Sequence, residues 1–446
     1  MNPKLALRGV IAAALDRCVS GSRSEREKRE LVADMEMWSQ DRVRAWQWSR
    51  IRDLLQYAQT HVPYYKRLFA GLGIRAADVR SWADFSQLPI LTKEEIQSNR
   101  DRLTAPGIDA IENQTGGSTG QPLRFYQDRE YLEWATISRS WGFDLCGFRN
   151  GDSQVVLWGS DLDSRWHRKL KGRIWDFAHN VQFVNVFNIS AEELKQVART
   201  LIEEQPDYIW AYASTLELLA DQFIRDDLRL HPKAVQSTAG TLYPSLRSKL
   251  EKVFGEVIYD RYGCREVGNI AHECSAHQGL HVFSPHNYVE ILEDDGLEGG
   301  RVIVTNLHNR VFPFIRYDIG DYASWADGGC ECGRTFPLLQ RVLGRSVEII
   351  TSPSGKLIDG EFFTHLFYRV DGVRQFQVVQ ESRERLVVKI VKTADFDTAA
   401  SNLLRSKIKE YGDPGFKVKF DYVDYIPPLD SGKRAFVLSK VPVELS

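Results

Sequence analysis

Little in this sequence suggests a disulfide scaffold, a polyanion-binding surface or a membrane span. Its 446 residues include only six cysteines, too few for a disulfide framework in a chain this long. Reduced thiols or a metal site suit that usage better. Lys plus Arg number 58 against 60 Asp plus Glu, a net charge of −2. That balance argues against coating nucleic acid or seeking anionic membranes. Long apolar runs are lacking. The segment Leu5 to Leu15 comes nearest, but Arg8 interrupts it and Asp16-Arg17 follow. It is too short to span a bilayer, and no A-x-A cleavage site clearly follows it. An amphipathic helix is expected there, and a cytoplasmic protein, monomer or homodimer, without stable membrane insertion or nucleic-acid binding. Internal repeats and low-complexity tracts are also absent.

One absence is more specific. Thr115-Gly116-Gly117-Ser118-Thr119-Gly120-Gln121-Pro122 is a loop of glycines and hydroxyls. Its backbone N–H groups can turn toward one point and form a nest for phosphate. A Walker-type loop ends in Gly-Lys-Ser/Thr, whereas Gln121 follows Gly120 here. The loop is either a plain turn or a phosphate site whose neutralising charge comes from elsewhere.

With 43% hydrophobic residues, the chain can bury a large core, and more than one domain is expected above roughly 250–300 residues. Residues 24 to 70 read as helical, with Leu31, Met35, Trp38, Trp46, Ile51, Leu54, Leu55 and Ala58 at helical spacing until Pro63. Thr92 and Glu95 form a capping-box pattern for a second helical stretch, and another helix begins after Asp128. From 150 to 310, short apolar strands alternate with helices: Gln154 to Trp158, helix Ala191 to Glu203, Tyr208 to Ala211, helix Leu216 to Arg225, and Val257 to Tyr259. That alternation predicts α/β architecture with a largely parallel sheet. Strands of antiparallel character, Tyr288 to Leu292 and Arg301 to Asn306, follow. After Gly344-Arg345 the pattern resets into a compact α+β unit. Its strands are Val347 to Thr351, Phe376 to Gln380, Leu386 to Val391 and Lys417 to Tyr422, with a helix from Phe396 to Tyr411.

Four further elements carry chemistry. Tyr262-Gly263-Cys264-Arg265-Glu266 follows an apolar strand. Strand ends of α/β sheets are where ligands bind; there a ring can stack on a base and a carboxylate can hold Mg²⁺ near phosphates. The alternative is a strand turn with a salt-bridged Glu266. In Arg316-Tyr317-Asp318-Ile319-Gly320-Asp321, an aspartate either accepts ribose hydroxyls or does ordinary turn chemistry. Gly344-Arg345 suits a hinge or any linker. Ser431-Gly432-Lys433 lies in a loop after Pro427-Pro428; Lys433 is either a solvated charge or the cation that the phosphate loop lacks.

A separate constellation is Cys274, His277, His281, Cys330 and Cys332. Three thiolates and one imidazole would close a structural Zn²⁺ site, His281 being preferred to His277. The alternative is reduced cysteine packed as a small hydrophobe, the reading kept for Cys18, Cys146 and Cys264. Trp141, Trp158, Trp210 and Tyr212 are candidates to line an apolar pocket or are plain core.

Taken in order, these motifs resemble the adenylate-forming (acyl-CoA synthetase) superfamily, most closely its phenylacetate–CoA ligase branch with the CapK-type proteins. The resemblance covers nearly the whole chain. It includes Tyr57-Ala58, His61-Val62-Pro63-Tyr64-Tyr65 and Leu88-Pro89-Ile90-Leu91-Thr92-Lys93 as well as the motifs above. It implies a large adenylation domain, 1–345, holding ATP, the acid and the zinc, and a small mobile α+β domain, 346–446. Ser118, Thr119 and Gly120 would cradle ATP phosphates, within the loop that includes Thr115, Gly116 and Gly117. Tyr262 and Gly263 would flank the adenine, with Ala239-Gly240-Thr241 as its other wall. Glu266 would help hold Mg²⁺, and Asp321 rather than Asp318 would bind the ribose. Arg345 would mark the hinge, although the family's acidic pair after that position is replaced here by Ser346-Val347-Glu348. Lys433 would stabilise the adenylation transition state. Similar Cys…His…Cys-x-Cys patterns occur in this branch. The implied reaction joins a small carboxylic acid to AMP with release of pyrophosphate, then passes the acyl group to coenzyme A; transfer to an amine or hydroxyl is the alternative.

Overall fold

The computed structural model describes residues 23–115, 123–149, 151–158, 167, 169–186, 191–293, 299–345, 350–355, 357–358, 360–367, 370–427 and 435–441. The N-terminal layer is helical: α1 (Arg23–Met35), α2 (Gln40–His61), α3 (Pro63–Leu72), α4 (Trp82–Ser86) and α5 (Lys93–Leu103). Chain breaks fall where local chemistry puts them. Ser39 caps α2, which divides the helical stretch once more than the spacing predicts. Pro63 sits in the first turn of α3, where its missing N–H has no helical partner to lose. Thr92 and Glu95 close the expected capping box on α5. Ile51, Leu54, Leu55 and Ala58 are fully buried, as their helical spacing requires.

Strands β1 (Ala110–Gln114) and β2 (Arg124–Asp128) form an antiparallel hairpin. Asp128 then caps α6 (Arg129–Leu145), accepting from the Tyr131 N–H. Next come β3 (Gln154–Trp158), α7 (Leu170–Ala178), β4 (Val181–Asn185), α8 (Ala191–Glu204), β5 (Tyr208–Tyr212), α9 (Ala213–Arg225), β6 (Ala234–Thr238), α10 (Pro244–Phe254) and β7 (Ile258–Cys264). β8 (Gly268–Glu273), β9 (Leu280–Val282), β10 (Asn287–Glu293), β11 (Gly300–Asn306), β12 (Tyr317–Trp325) and β13 (Leu338–Arg345) follow. β3 to β13 form one sheet of 11 strands in the order β10-β11-β12-β13-β9-β8-β7-β6-β5-β3-β4. β4, β3, β5, β6 and β7 are parallel neighbours. From β7 onward every pairing is antiparallel. The parallel half has the βαβ crossovers that such pairing demands.

One hydrophobic cluster joins the N-terminal helices to the antiparallel half, running from Ile51 and Leu54 through Phe125 to Phe312, Tyr317 and Leu339. Two widely separated motifs meet here. Leu91 forms a parallel bridge with Tyr317, and the Leu91 N–H donates to the Arg316 carbonyl at 2.9 Å. Arg316 itself pairs with Glu290 at 3.1 Å and donates to the Ser86 and Leu88 carbonyls. It is a buried clamp.

β14 (Ile350–Thr351), β15 (Leu357–Ile358), α11 (Gly360–Phe367), β16 (Val373–Ser382), β17 (Arg385–Lys392), α12 (Thr398–Lys407), β18 (Lys417–Tyr422) and β19 (Val437–Ser439) complete the order. A four-stranded sheet, β18-β17-β16-β19, buries its own core of Phe363, Val378, Leu386, Val388, Leu404 and Val437. The helix expected from Phe396 starts after the Asp397 cap, and a π turn, Ile408–Gly412, takes over after Lys407. The chain thus has the expected α/β fold, one large mixed sheet followed by a small α+β unit. Phe436 of this unit lies 6.2 Å from Tyr243 of the large one, edge to face. No described helix is long and apolar enough to cross a membrane.

Asp260 on β7 illustrates the electrostatics of the large sheet. Burial first, then the Glu273 charge, pushes its carboxyl up to about 7, against the opposing pull of Arg247. Its unfolded value is about 3.9, so the fold favours the neutral acid. The resulting stability is complete at low pH and lost as pH rises through about 7. Asp260→Asn is therefore expected to gain more melting temperature over the wild type at pH 8 than at pH 5; equal differences at both would contradict the account.

Candidate active site

The β1–β2 hairpin brackets the phosphate-type loop. The Thr115 N–H donates to the Leu123 carbonyl, and the Leu123 N–H donates to Thr115 Oγ1, both at 2.9 Å. Both ends of the loop are pinned together. Gly116 to Pro122 themselves lie outside the described residues. β2 reaches from this hairpin to the next motif, where Gln127 Nε2 donates to the Arg265 carbonyl at 2.8 Å.

Tyr262, Gly263 and Cys264 were expected to follow a strand; instead they are its last residues, and Val257 lies outside it. β7 runs on because β8 pairs with it antiparallel, Cys264 opposite Gly268. A Cβ at Gly263 would lie 2.5 Å from the Gly268 carbonyl oxygen, so glycine is demanded by the hairpin itself. Gly263→Ala is expected to cost about 1–3 kcal/mol through this overlap, measurable as a lower urea midpoint; an unchanged midpoint would contradict the tight hairpin.

The motifs converge beside that hairpin. The Tyr262 hydroxyl donates to Asp321 Oδ2 at 3.0 Å. The Tyr317 hydroxyl donates to Glu266 Oε1 at 3.1 Å, a partner that the sequence reading did not single out. Tyr262, Glu266 and Asp321 are all buried. Asp321 lies opposite Arg345 in the β12–β13 pairing. Asp318 is occupied differently: Arg301 pairs with one oxygen at 2.9 Å, and the Gly320 N–H donates to the other at 2.9 Å. Asp318 shapes the turn and leaves Asp321 as the inward carboxylate. Ala239 and Thr241 follow β6 and are half-buried, with Gly240 exposed between them. Ala239 adopts φ +62°, an unusual conformation for a residue with a Cβ. Lys433 lies outside the described residues, as does the N-terminal segment through Arg17 and Cys18.

The cysteine constellation forms a cluster away from this hairpin. One ligand atom each from Cys274, His281, Cys330 and Cys332 lies within 4.8 Å of all the others. Cys274 Sγ is 3.5 Å from Cys330 Sγ, and Cys332 Sγ is 3.3 Å from His281 Nε2. His277 does not join them; it pairs with Glu273 at 3.0 Å. The cluster is walled by Trp141, Phe283 and Phe336. Cys146 is buried, and Cys264 is half-buried beside Glu266.

Of the four pocket aromatics, three group together. Trp158 lies 4.9 Å from Trp210 and 4.5 Å from Tyr212. Trp141 stands apart, packed on Phe283 at 5.0 Å and Phe336 at 5.7 Å. It belongs to the wall of the cysteine cluster.

Comparison with known proteins bears on the fold and on what the chain is similar to. Residues 350–440 match the family model of the CapK C-terminal domain. The chain is 21% identical to Protein CapK of Staphylococcus aureus over 88% of each chain. It is 26% identical to the phenylacetate-coenzyme A ligase of Escherichia coli strain K12, over 71% of this chain and 74% of that one. Among solved structures, 2-hydroxyisobutyryl-CoA ligase in the postadenylation state matches with a TM-score of 0.72 at 18% identity, over 91% of both chains. The chain is thus similar along most of its length to CapK and the phenylacetate-coenzyme A ligases, and it shares the fold of 2-hydroxyisobutyryl-CoA ligase.

Proposed function

We propose that the protein activates a small carboxylic acid with ATP as an acyl adenylate, releases pyrophosphate, and passes the acyl group to coenzyme A. The observation that carries this reading is the convergence at the β7–β8 hairpin. Two residues of the hairpin motif each bond to β12, which is remote in sequence: Tyr262 to Asp321, and Glu266 to Tyr317. In this proposal Tyr262 and Gly263 flank the adenine, Ala239-Gly240-Thr241 form its other wall, and Asp321 accepts the ribose hydroxyls. Glu266 is oriented by the Tyr317 hydroxyl and helps to hold Mg²⁺. Bound Mg²⁺ would supply charge neutralisation for the phosphates. Thr115 to Gly120 cradle them from the hairpin loop. The domain boundary falls at 345/346, with Arg345 at the hinge and Lys433 on the small domain.

The chemistry asks little covalent work of the protein. A carboxylate oxygen attacks the α-phosphorus, and the bond to pyrophosphate breaks. Positioning and charge stabilisation are what the enzyme must provide. The test is ATP–pyrophosphate exchange over a panel of carboxylic acids, followed by product analysis with and without coenzyme A. Exchange with some acid supports the reading; its absence for every acid defeats it.

A second reading replaces coenzyme A by an amine or hydroxyl acceptor. Adenylation without thioester formation would select it.

We also propose that Cys274, His281, Cys330 and Cys332 hold a structural Zn²⁺. Soft thiolates with one imidazole are the donor set zinc prefers. Tetrahedral bonds of about 2.3 Å place sulfurs roughly 3.8 Å apart, close to the 3.5 Å between Cys274 and Cys330.

A further inference from the structure

The aromatic group at Trp210 borders two arginines without carboxylate partners. On β7, Arg261 immediately precedes Tyr262, so its side chain emerges on the opposite face of the strand. Its guanidinium lies over the Trp210 ring, 4.7 Å from the centroid, and donates to Asn269 Oδ1. Its Nε has no partner.

Arg139 approaches from α6. One turn further along the same stripe, Phe143 packs against Tyr208 at 5.2 Å and Trp210 at 6.0 Å, so Arg139 rises beside Trp210. α6 lies close on the sheet here, since a Cβ on Gly142 would come 2.2 Å from the His272 ring. Arg139 remains exposed, yet the protein around it lowers its pKa, with Arg29 adding repulsion. Such a group is crowded by protein yet open to water, and the region between it, Arg261 and Trp210 is the candidate crevice. Burial pulls Arg261 down to about 10, and the Arg139 charge adds to the effect against Tyr208. Among the described residues, neither arginine forms an ion pair with a carboxylate. Around them, buried polar atoms lack partners: Ser138 Oγ, Tyr208 Oη, Trp210 Nε1 and Gln236 Oε1. Unpaired buried polar groups are costly, and two unneutralised arginines facing one crevice call for an anion.

We propose that this crevice holds the far end of the acid and that the substrate is a dicarboxylic acid. Its second carboxylate lies between Arg139 and Arg261, and its carbon frame lies against Trp210, Trp158 and Tyr212. This rests on the ligase reading for the identity of the reacting end. The recognition itself is charge-assisted hydrogen bonding, for which a guanidinium fork is well suited.

The test pairs each monocarboxylic acid with its dicarboxylic counterpart, such as benzoate with terephthalate and hexanoate with adipate. Pyrophosphate exchange should favour the dicarboxylate by about 10–100-fold in kcat/KM. Arg139→Met should remove that advantage through KM and leave the monocarboxylate rate unchanged. Arg261→Gln should do the same, and Arg139→Met, at an exposed position, keeps the test valid if the buried variant fails to fold. Equal use of both acids, or equal losses with both in Arg139→Met, would overturn the proposal. Tryptophan fluorescence titration with the same acids, without ATP, separates this proposal from the ligase reading. Dicarboxylate binding that Arg139→Met weakens supports the crevice even where no acid gives exchange; no such binding in a protein that does give exchange counts against it.

Discussion

Lys433→Ala is expected to slow acyl-adenylate formation by about 10²–10³-fold, the loss found when one preorganised donor is removed from a developing charge. The argument begins at the hairpin loop. Thr115 to Pro122 contain no cation, so the loop cannot neutralise the phosphates by itself. A pentavalent phosphorus bearing new negative charge needs a positive partner. Lys433, near the C-terminal end of the sequence, is the residue proposed to supply it. The measurement is single-turnover adenylation beside thioester formation from pre-made acyl adenylate. The first should fall and the second should hold. An unchanged first step would remove Lys433 from the mechanism, and equal losses in both would indicate general damage.

The second large effect concerns the cysteine cluster. Cys274→Ser is expected to abolish bound zinc and to cost about 4–5 kcal/mol, roughly 10 °C or more in melting temperature. Burial works against the Cys332 thiolate, yet hydrogen bonding from the Arg334 backbone, Cys330 and Arg334 holds its pKa below the ordinary thiol value. That bias suits a metal ligand. The cluster also joins distant parts of the chain. Arg334 pairs with Glu36 at 2.8 Å, and the Thr335 N–H donates to the Glu36 carbonyl at 2.9 Å. Losing the metal therefore loosens the β12–β13 connection from α1. Because the four ligands act as a unit, Cys274→Ser combined with Cys332→Ser should lose little beyond either alone. Purified protein without zinc, and a melting temperature indifferent to chelators, would refute the site.

Much of this was legible in the sequence where the signal is local. The caps at Thr92 and Asp128 and the strands Gln154–Trp158 and Lys417–Tyr422 follow from residue chemistry or period, and the structure has them where expected. Other features depend on partners remote in sequence. β6 escaped notice because most of it, Gln236-Ser237-Thr238, is polar yet buried; a central strand between two parallel neighbours need not look apolar throughout. Spacing alone also gave no geometric choice between His277 and His281. The chain settles it by turning His277 to φ +51° and toward Glu273. Arg261 and Arg139 read as ordinary strand and helix charges. Only the packing of α6 over the sheet brings their charges within reach of each other.

The shared core of the N-terminal helices and the antiparallel strands has a consequence for biosynthesis. Ile51, Leu54 and Phe69 are buried against Val302, Phe312 and Leu339, which emerge from the ribosome long after them. At roughly 5–20 residues per second, the apolar faces of α2 and α3 wait on the order of ten seconds or more for their cover. The parallel half, β3 to β7, closes around its own crossover helices in the meantime. The nascent chain therefore presents a finished α/β middle with an uncovered helical head, the form in which a holding chaperone would meet it.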